Sequence, residues 1–179
     1  MRVKLADKKF YQSYEIGEKI GEHGGVEIYE ARLTAEARRS QRWYEVTALA
    51  YEPSSQSFVG MVVLYRVQIG GGGTGVEIAP ESACASDLRE MSVRHGVDGK
   101  RALVVGSSHI TASHRGRGLG AALYVAAAAM AKKLGFALVA DRCTYEGRTS
   151  PDAERVWASQ AFRAQVEVAS ESGLVGVYR

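Results

Sequence analysis

Apolar residues follow two different periods along this chain, and both are clearest from Arg42 onward. Arg42 to Glu52 (RWYEVTALAYE) and Phe58 to Ile69 (FVGMVVLYRVQI) are dense in β-branched and aromatic residues. They flank the turn-forming Pro53-Ser54-Ser55-Gln56-Ser57, which predicts a β-hairpin. Ala102 to Thr111 (ALVVGSSHIT) predicts a strand that begins buried and turns polar. Leu119 to Leu134 then places Leu123, Ala126, Ala127 and Met130 along one helical face, and Gly135 ends that helix. Phe136 to Ala140 (FALVA) reads as a short buried strand, and Asp141 to Thr149 as a polar loop. Ser150 supplies an N-cap and Pro151 a first-turn proline for a helix running to about Ala161. Gln165 to Ser170 and Leu174 to Arg179 predict a closing hairpin around Glu171-Ser172-Gly173.

Elsewhere the period is weaker. Asp7 to about Glu22 has Phe10, Tyr14 and Ile20 at loose helical spacing, and Val26 to Arg39 is Ala- and Arg-rich with helix favoured over strand, so residues 1–41 are expected to form a helical N-terminal part. The run Gly70 to Gly75 (GGGGTG) lacks a lysine at P-loop spacing and reads as a linker. Val76 to Arg101 shows no clear period, which makes 70–101 a loop-rich insertion before a core spanning 102–179. With 179 residues, 46% hydrophobic and 24% charged, the chain is expected to be one globular domain, 1–179.

Charge and cysteines exclude little more. A net charge of +3 does not call for nucleic acid. Trp43, Tyr44, Tyr51 and Tyr65 are spaced as core and cross-strand partners rather than as a base-stacking platform, and Arg38 and Arg39 with Arg32 and Arg42 as a solvated face. No apolar run is long enough to cross a bilayer, and Met1 to Lys9 lacks a signal-peptide core, so no membrane partner and a cytoplasmic location are expected. Cys84 and Cys143 are far apart, with neither CxxC spacing nor a second pair, and read as free thiols with no metal site.

The stretch that carries chemistry is Ser113-His114-Arg115-Gly116-Arg117-Gly118-Leu119-Gly120-Ala121. Glycines at alternate positions allow a tight turn with close backbone approach, and the turn opens a helix whose first amides have no partner within it. Such a helix start attracts an anion by roughly 0.3–1 kcal/mol, and Arg115 and Arg117 add charge-assisted hydrogen bonds. A dinucleotide fingerprint also fits the spacing from Gly116 to Ala121, with Asp141 as the ribose contact. Two features oppose it. Thr111 to Arg115 is too polar for the end of a central parallel strand, and too little chain follows Asp141 for further β-α units.

Arg115-Gly116-Arg117-Gly118-Leu119-Gly120 fits R/Q-x-x-G-x-G/A, and its setting of strand, turn, helix, strand, helix and hairpin resembles the GNAT superfamily of acyl-CoA-dependent N-acetyltransferases. Ser150, Ala153, Val156-Trp157, Ser159 and Ala161-Phe162 follow that family's second-helix pattern in part. The resemblance implies an α/β fold with a single mixed, mostly antiparallel sheet flanked by helices. It also implies acetyl-CoA as co-substrate and an amine acceptor, small molecule or protein; a homodimer is compatible with it. By resemblance the amides of Arg115, Gly116, Arg117, Gly118, Leu119, Gly120 and Ala121 would hold the CoA diphosphate. Ile110 and Thr111 would pair with the pantetheine, and Ser150 and Trp157 would lie beside the cofactor.

Trp157 stands where the family often has a tyrosine that protonates the leaving thiolate, and an indole is an N–H donor only. Tyr145 is the candidate replacement, with Glu146 beside it, if their loop folds inward. A lysine-like amine with a pKa near 10.4 is neutral in only about one of ~2,500 molecules at pH 7, so a base or desolvating site must offset roughly 4.6 kcal/mol. His109, on the strand entering the turn, is the candidate base. His114 is expected at the surface or on phosphate, and Asp141 as a loop or capping carboxylate. The alternative to an N-acetyltransferase is a non-catalytic module that keeps the acyl-CoA cleft, or only its fold.

Overall fold

A computed structural model describes residues 13–71, 76–145 and 147–179. Phe10, the 72–75 part of the glycine run and Glu146 lie outside the described residues. The first two strands, β1 (Tyr14–His23) and β2 (Val26–Leu33), form an antiparallel hairpin where a helical segment was expected. The reason is local. Gly24 and Gly25 take φ of 56° and 80°, the left-handed pair that a two-residue hairpin turn requires. Of residues 1–41, the described helical part is α1 (Ala35–Arg38).

The expected hairpin follows as β3 (Tyr44–Glu52) and β4 (Ser57–Ile69), both buried through most of their length. The 70–101 segment is more ordered than its sequence suggested. It contains β5 (Glu77–Ile78), parallel to β4, and α2 (Ala83–His95). Ser82 caps that helix by accepting from the Ala85 amide at 3.2 Å, and Gly96, left-handed at φ 68°, closes it. Cys84, Leu88 and Met91 form its buried stripe, a helical period present in the sequence.

The C-terminal half runs β6 (Arg101–Ile110), α3 (Leu119–Lys133), β7 (Ala137–Ala140), α4 (Pro151–Ala158), α5 (Gln160–Arg163), β8 (Val166–Val168) and β9 (Val175–Tyr178). The single helix expected up to Ala161 is divided at Ser159. That residue is extended, and its hydroxyl accepts from the Phe162 amide at 3.3 Å, starting a new helix instead of continuing the old one.

One sheet holds the strands in the order β1-β2-β3-β4-β6-β7-β9-β8, with β5 added beside β4. The β6–β7 pair is parallel within otherwise antiparallel neighbours, so the α/β class and the mixed, mostly antiparallel sheet are as expected. The face carrying α3, α4 and α5 is packed by Leu123, Tyr124, Trp157 and Phe162 against Val46, Val62 and Leu103. The α2 helix covers the opposite face over β7 and β9 through Leu88, Met91, Val139 and Val175.

The expectation of free thiols is corrected. Cys84 at the start of α2 and Cys143 after β7 form a disulfide, with Cα atoms 5.7 Å apart across 59 residues of sequence. Their distance along the chain concealed a contact that α2 makes by packing on β7. Among the described residues no helix is long and apolar enough to cross a membrane.

Candidate active site

The site begins where the sheet divides. β6 pairs with β7 from Ala102↔Ala137 to Val105↔Ala140, and then β6 alone continues to Ile110. The chain leaves β7 through a 3-10 turn at Asp141–Cys143. On its other side β6 slips register against β4 between Leu64↔Val105 and Val63↔Ser107, which leaves Gly106 as a bulge. Gly106 has to be glycine: a Cβ there would stand 2.4 Å from Cδ2 of Tyr65. Gly106, Ser107, Ser108 and His109 are exposed along the side that β7 has vacated. A strand edge of this kind presents backbone donors and acceptors to an extended ligand.

β6 leads into the glycine turn. Gly116 and Gly118 have φ of 73° and 80°, in the left-handed region that L side chains avoid. Gly118 is the N-cap of α3 and no side chain caps that helix, so its first amides face the turn without an intrahelical partner. Arg115 and Arg117 are both exposed; Arg115 Nε donates to the Ile110 carbonyl at 3.1 Å, which holds the first guanidinium at the strand end.

Side chains from the hairpins secure the turn. His23 Nε2 lies 2.7 Å from the Arg117 carbonyl, at the tip of the β1–β2 hairpin. His114 is buried, and not at the surface as expected, with Nε2 2.9 Å from Glu52 Oε1 and Nδ1 2.9 Å from Ser113 Oγ and 3.1 Å from Thr111 Oγ1. The Ser55 hydroxyl and then His114 hold the Glu52 carboxyl below the ordinary glutamate range. Thr111 is thereby occupied, its amide also donating to Val59 at 2.9 Å.

Two cavities meet at this place. The larger, ≈ 580 Å³, runs from the turn along β6 to α4 and is lined in part by His109, Ile110, Arg115, Gly116, Gly118, Gly120, Ala121 and Ser150. The smaller, ≈ 240 Å³, occupies the β6–β7 split, with Asp141, Ser150 and Trp157 on its wall. Ser108, Tyr124, Ser150 and Ala153 belong to both, so the two form one cleft. Leu119 is buried in the core, and Arg117 lines neither cavity. Ser150 uses its hydroxyl to accept from the Ala153 amide at 3.2 Å.

Tyr145 lies apart. Its side chain is 65% exposed and on neither cavity wall. The residue that sequence reasoning missed is Tyr124 on α3, buried, with its hydroxyl 3.4 Å from Ser108 Oγ and its phenol pushed above the ordinary range by burial. Its signal was faint, a tyrosine one position after Leu123 on the buried helix face, where packing accounts for an aromatic equally well. Trp157 is 2% exposed, and its Nε1 is buried without a hydrogen-bond partner.

No protein-family model matches the chain, and no curated protein matches it in sequence. Among solved structures, one that resembles it is a protein described as arylalkylamine N-acetyltransferase 7 from the yellow fever mosquito, Aedes aegypti. It has 15% identity and a TM-score of 0.42, with the match covering 69% of this chain and 51% of the mosquito protein. This chain therefore matches about half the length of that one. A likeness at this level assigns neither activity nor substrate.

Proposed function

We propose that the protein is an N-acetyltransferase that binds acetyl-CoA in the cleft between the free edge of β6 and α4 and passes the acetyl group directly to an amine. One observation carries this reading: the uncapped, glycine-led start of α3 opens onto a cleft that continues along an unpaired strand edge to the β6–β7 split. The three parts suit three parts of one ligand. Amides and arginines at the turn suit a diphosphate. The edge from Gly106 to Ile110 suits the amides of a pantetheine arm, and the small cavity suits an acyl group.

Direct transfer needs a neutral amine beside the thioester and a proton route to sulfur. His109, on the wall of the larger cavity, is proposed to take the amine's proton. In the cytoplasm expected from the sequence, Cys84 and Cys143 would be held as thiols, whereas the formed disulfide fits an oxidising setting.

Trp157 favours a second reading, a cleft that binds acyl-CoA without catalysis, because it offers no titratable proton at the position of the family tyrosine. Calorimetry with acetyl-CoA, followed by detection of thiol release over a panel of amines, separates the readings. Binding with release supports the transferase, and binding without release the module. No binding to the folded protein overturns both. For His109→Ala, the acidic limb of the rate profile should flatten; an unchanged profile removes His109 as the base.

A further inference from the structure

We propose that Tyr124 donates the proton to the departing sulfur, with the Trp157 indole N–H as a second, non-titrating hydrogen-bond donor and the Ser108 hydroxyl as the route by which the phenol is reprotonated. This rests on the acetyl-transfer reading above. Aminolysis of a thioester leaves an electron pair on sulfur, and a thiol has a pKa of roughly 8.5, so a proton delivered as the bond breaks avoids releasing a free thiolate. The cleft wall holds few groups able to deliver one. Serine and threonine hydroxyls are not acidic enough, and Asp141 is a carboxylate that accepts the Arg148 amide at 2.9 Å. Among the described residues on either cavity wall, Tyr124 carries the only phenol.

Position supports the assignment. Tyr124 lies on the wall shared by both cavities, between the pantetheine edge and the split, where the thioester of the proposed complex would sit. Its ring is wedged edge-on against Trp157 and Phe162, with centroids 6.5 Å and 6.3 Å away, which fixes where the hydroxyl points. The hydroxyl's contact with Ser108 Oγ, 3.4 Å, is long, so little is lost when it turns to a better acceptor. Burial favours the protonated phenol.

Trp157 adds an independent observation. A Cβ at Gly176 would meet its Cζ3 at 3.3 Å, so the benzenoid edge lies on β9. Nε1 belongs to the other ring of the indole, and Trp157 lies on the wall of the small cavity. Its N–H is buried with no partner, which is uncommon in a folded protein and leaves a donor free for a ligand atom. The neutral amine nitrogen forms a bond to the acetyl carbon, the carbon–sulfur bond breaks with its pair on sulfur, and sulfur takes the Tyr124 proton to give CoA thiol. The surplus proton on nitrogen goes to His109 or water, and the phenolate recovers one from water through Ser108.

The test compares wild type, Tyr124→Phe and Trp157→Phe with acetyl-CoA and a panel of tyramine, spermidine, Nα-acetyl-lysine and kanamycin. Wild type is expected to lose kcat at high pH as the phenol ionises. Tyr124→Phe should lower kcat by about 10²- to 10⁴-fold and abolish that alkaline limb, with acetyl-CoA affinity within about three-fold. Trp157→Phe should lower kcat by about ten-fold and leave the limb in place. Calorimetry gives a readout that needs no turnover: wild type should bind CoA more tightly than desulfo-CoA, and Tyr124→Phe should narrow the gap. Retained kcat or an intact alkaline limb in Tyr124→Phe overturns the proposal while the transferase reading stands. Equal affinity of wild type for CoA and desulfo-CoA overturns it without any variant. Wild type that binds no acetyl-CoA or releases no thiol overturns both.

Discussion

Helices in this molecule start in two ways. α1, α2, α4 and α5 each begin with a hydroxyl side chain that accepts an amide from the first turn: Thr34 from Ala37, Ser82 from Ala85, Ser150 from Ala153 and Ser159 from Phe162. α3, at 15 residues the longest described, begins at Gly118 with no such bond. A hydroxyl cap contributes about 0.5–2 kcal/mol, so α3 forgoes stability at the helix with the most tertiary packing to protect. Four ends are completed by the chain itself. The fifth keeps its donors for something the chain does not supply, and two left-handed glycines give that ligand room.

The sharpest way to break this comparison is to fill the open end. Gly118→Glu places a carboxylate where an anion is proposed to bind, and acetyl-CoA affinity should fall by about 10³-fold, or 4.1 kcal/mol. Strain must be separated from charge, because Gly118 sits at φ 80° and a Cβ there would approach His23 Nε2 at 3.0 Å. Gly118→Ala carries the strain alone, roughly 1–2 kcal/mol of stability, and should weaken binding far less. Calorimetry beside thermal melting distinguishes them. Equal affinities for the two variants would mean that the turn does not face an anion.

The start of α2 offers the contrasting case, since it is fixed by the Ser82 cap and by the Cys84–Cys143 bond. Closing a loop of 59 residues should contribute about 4 kcal/mol, chiefly by restricting the unfolded chain. Reduction, or Cys84→Ser with Cys143→Ser, should lower stability by that amount in denaturant titrations. Acetyl-CoA affinity should remain within about two-fold, because the disulfide touches no part of the α3 turn. A parallel loss of affinity would show that the two helix starts are not independent.

These contrasts explain what the sequence revealed and what it hid. The α3 turn was legible because its glycines are demanded by local backbone conformation, and local demands are written in adjacent residues. The β3–β4 hairpin and β7 were legible for the same reason, through composition and period. His23-Gly24-Gly25 is equally local, and two glycines between extended segments are a hairpin signal in their own right, but the loose helical spacing on either side of them outweighs it when residues 1–41 are read by period. The stripe of α2 was also present and was obscured by the neighbouring glycine run. By contrast, the disulfide, the Glu52–His114 pair and the placement of Tyr124 against Trp157 depend on long-range packing that no single window contains. Tyr145 illustrates the converse: proximity in sequence to the cleft placed it among the candidates, and the fold turns it outward.

A smaller effect tests the capped side alone. Ser82→Ala removes the α2 cap from a helix that lies away from the cleft, so stability should drop by about 1 kcal/mol with acetyl-CoA affinity unchanged. If affinity falls with stability, the division between completed and open ends fails.

The smallest expected effect concerns how the open end is kept in place. Glu52 reaches from the β3–β4 hairpin to His114, directly before Arg115, and Ser55 and His114 together keep its carboxyl ionised below the ordinary value of 4.5. A carboxyl lowered in the folded state contributes stability that is fully present above the unfolded value and is lost as pH falls through the folded one. The contribution is modest, because the side chain is about a quarter exposed and solvent screens the pair. Wild type should therefore be more stable than Glu52→Gln at neutral pH, and the gap should close as pH falls below 4.5. If the pair also holds the turn in its binding shape, acetyl-CoA affinity should decline over the same acidic window in wild type and show less dependence on pH in Glu52→Gln. A gap constant with pH would show that Glu52 acts through packing, and that the glycines and the His23 contact suffice to hold the α3 start open.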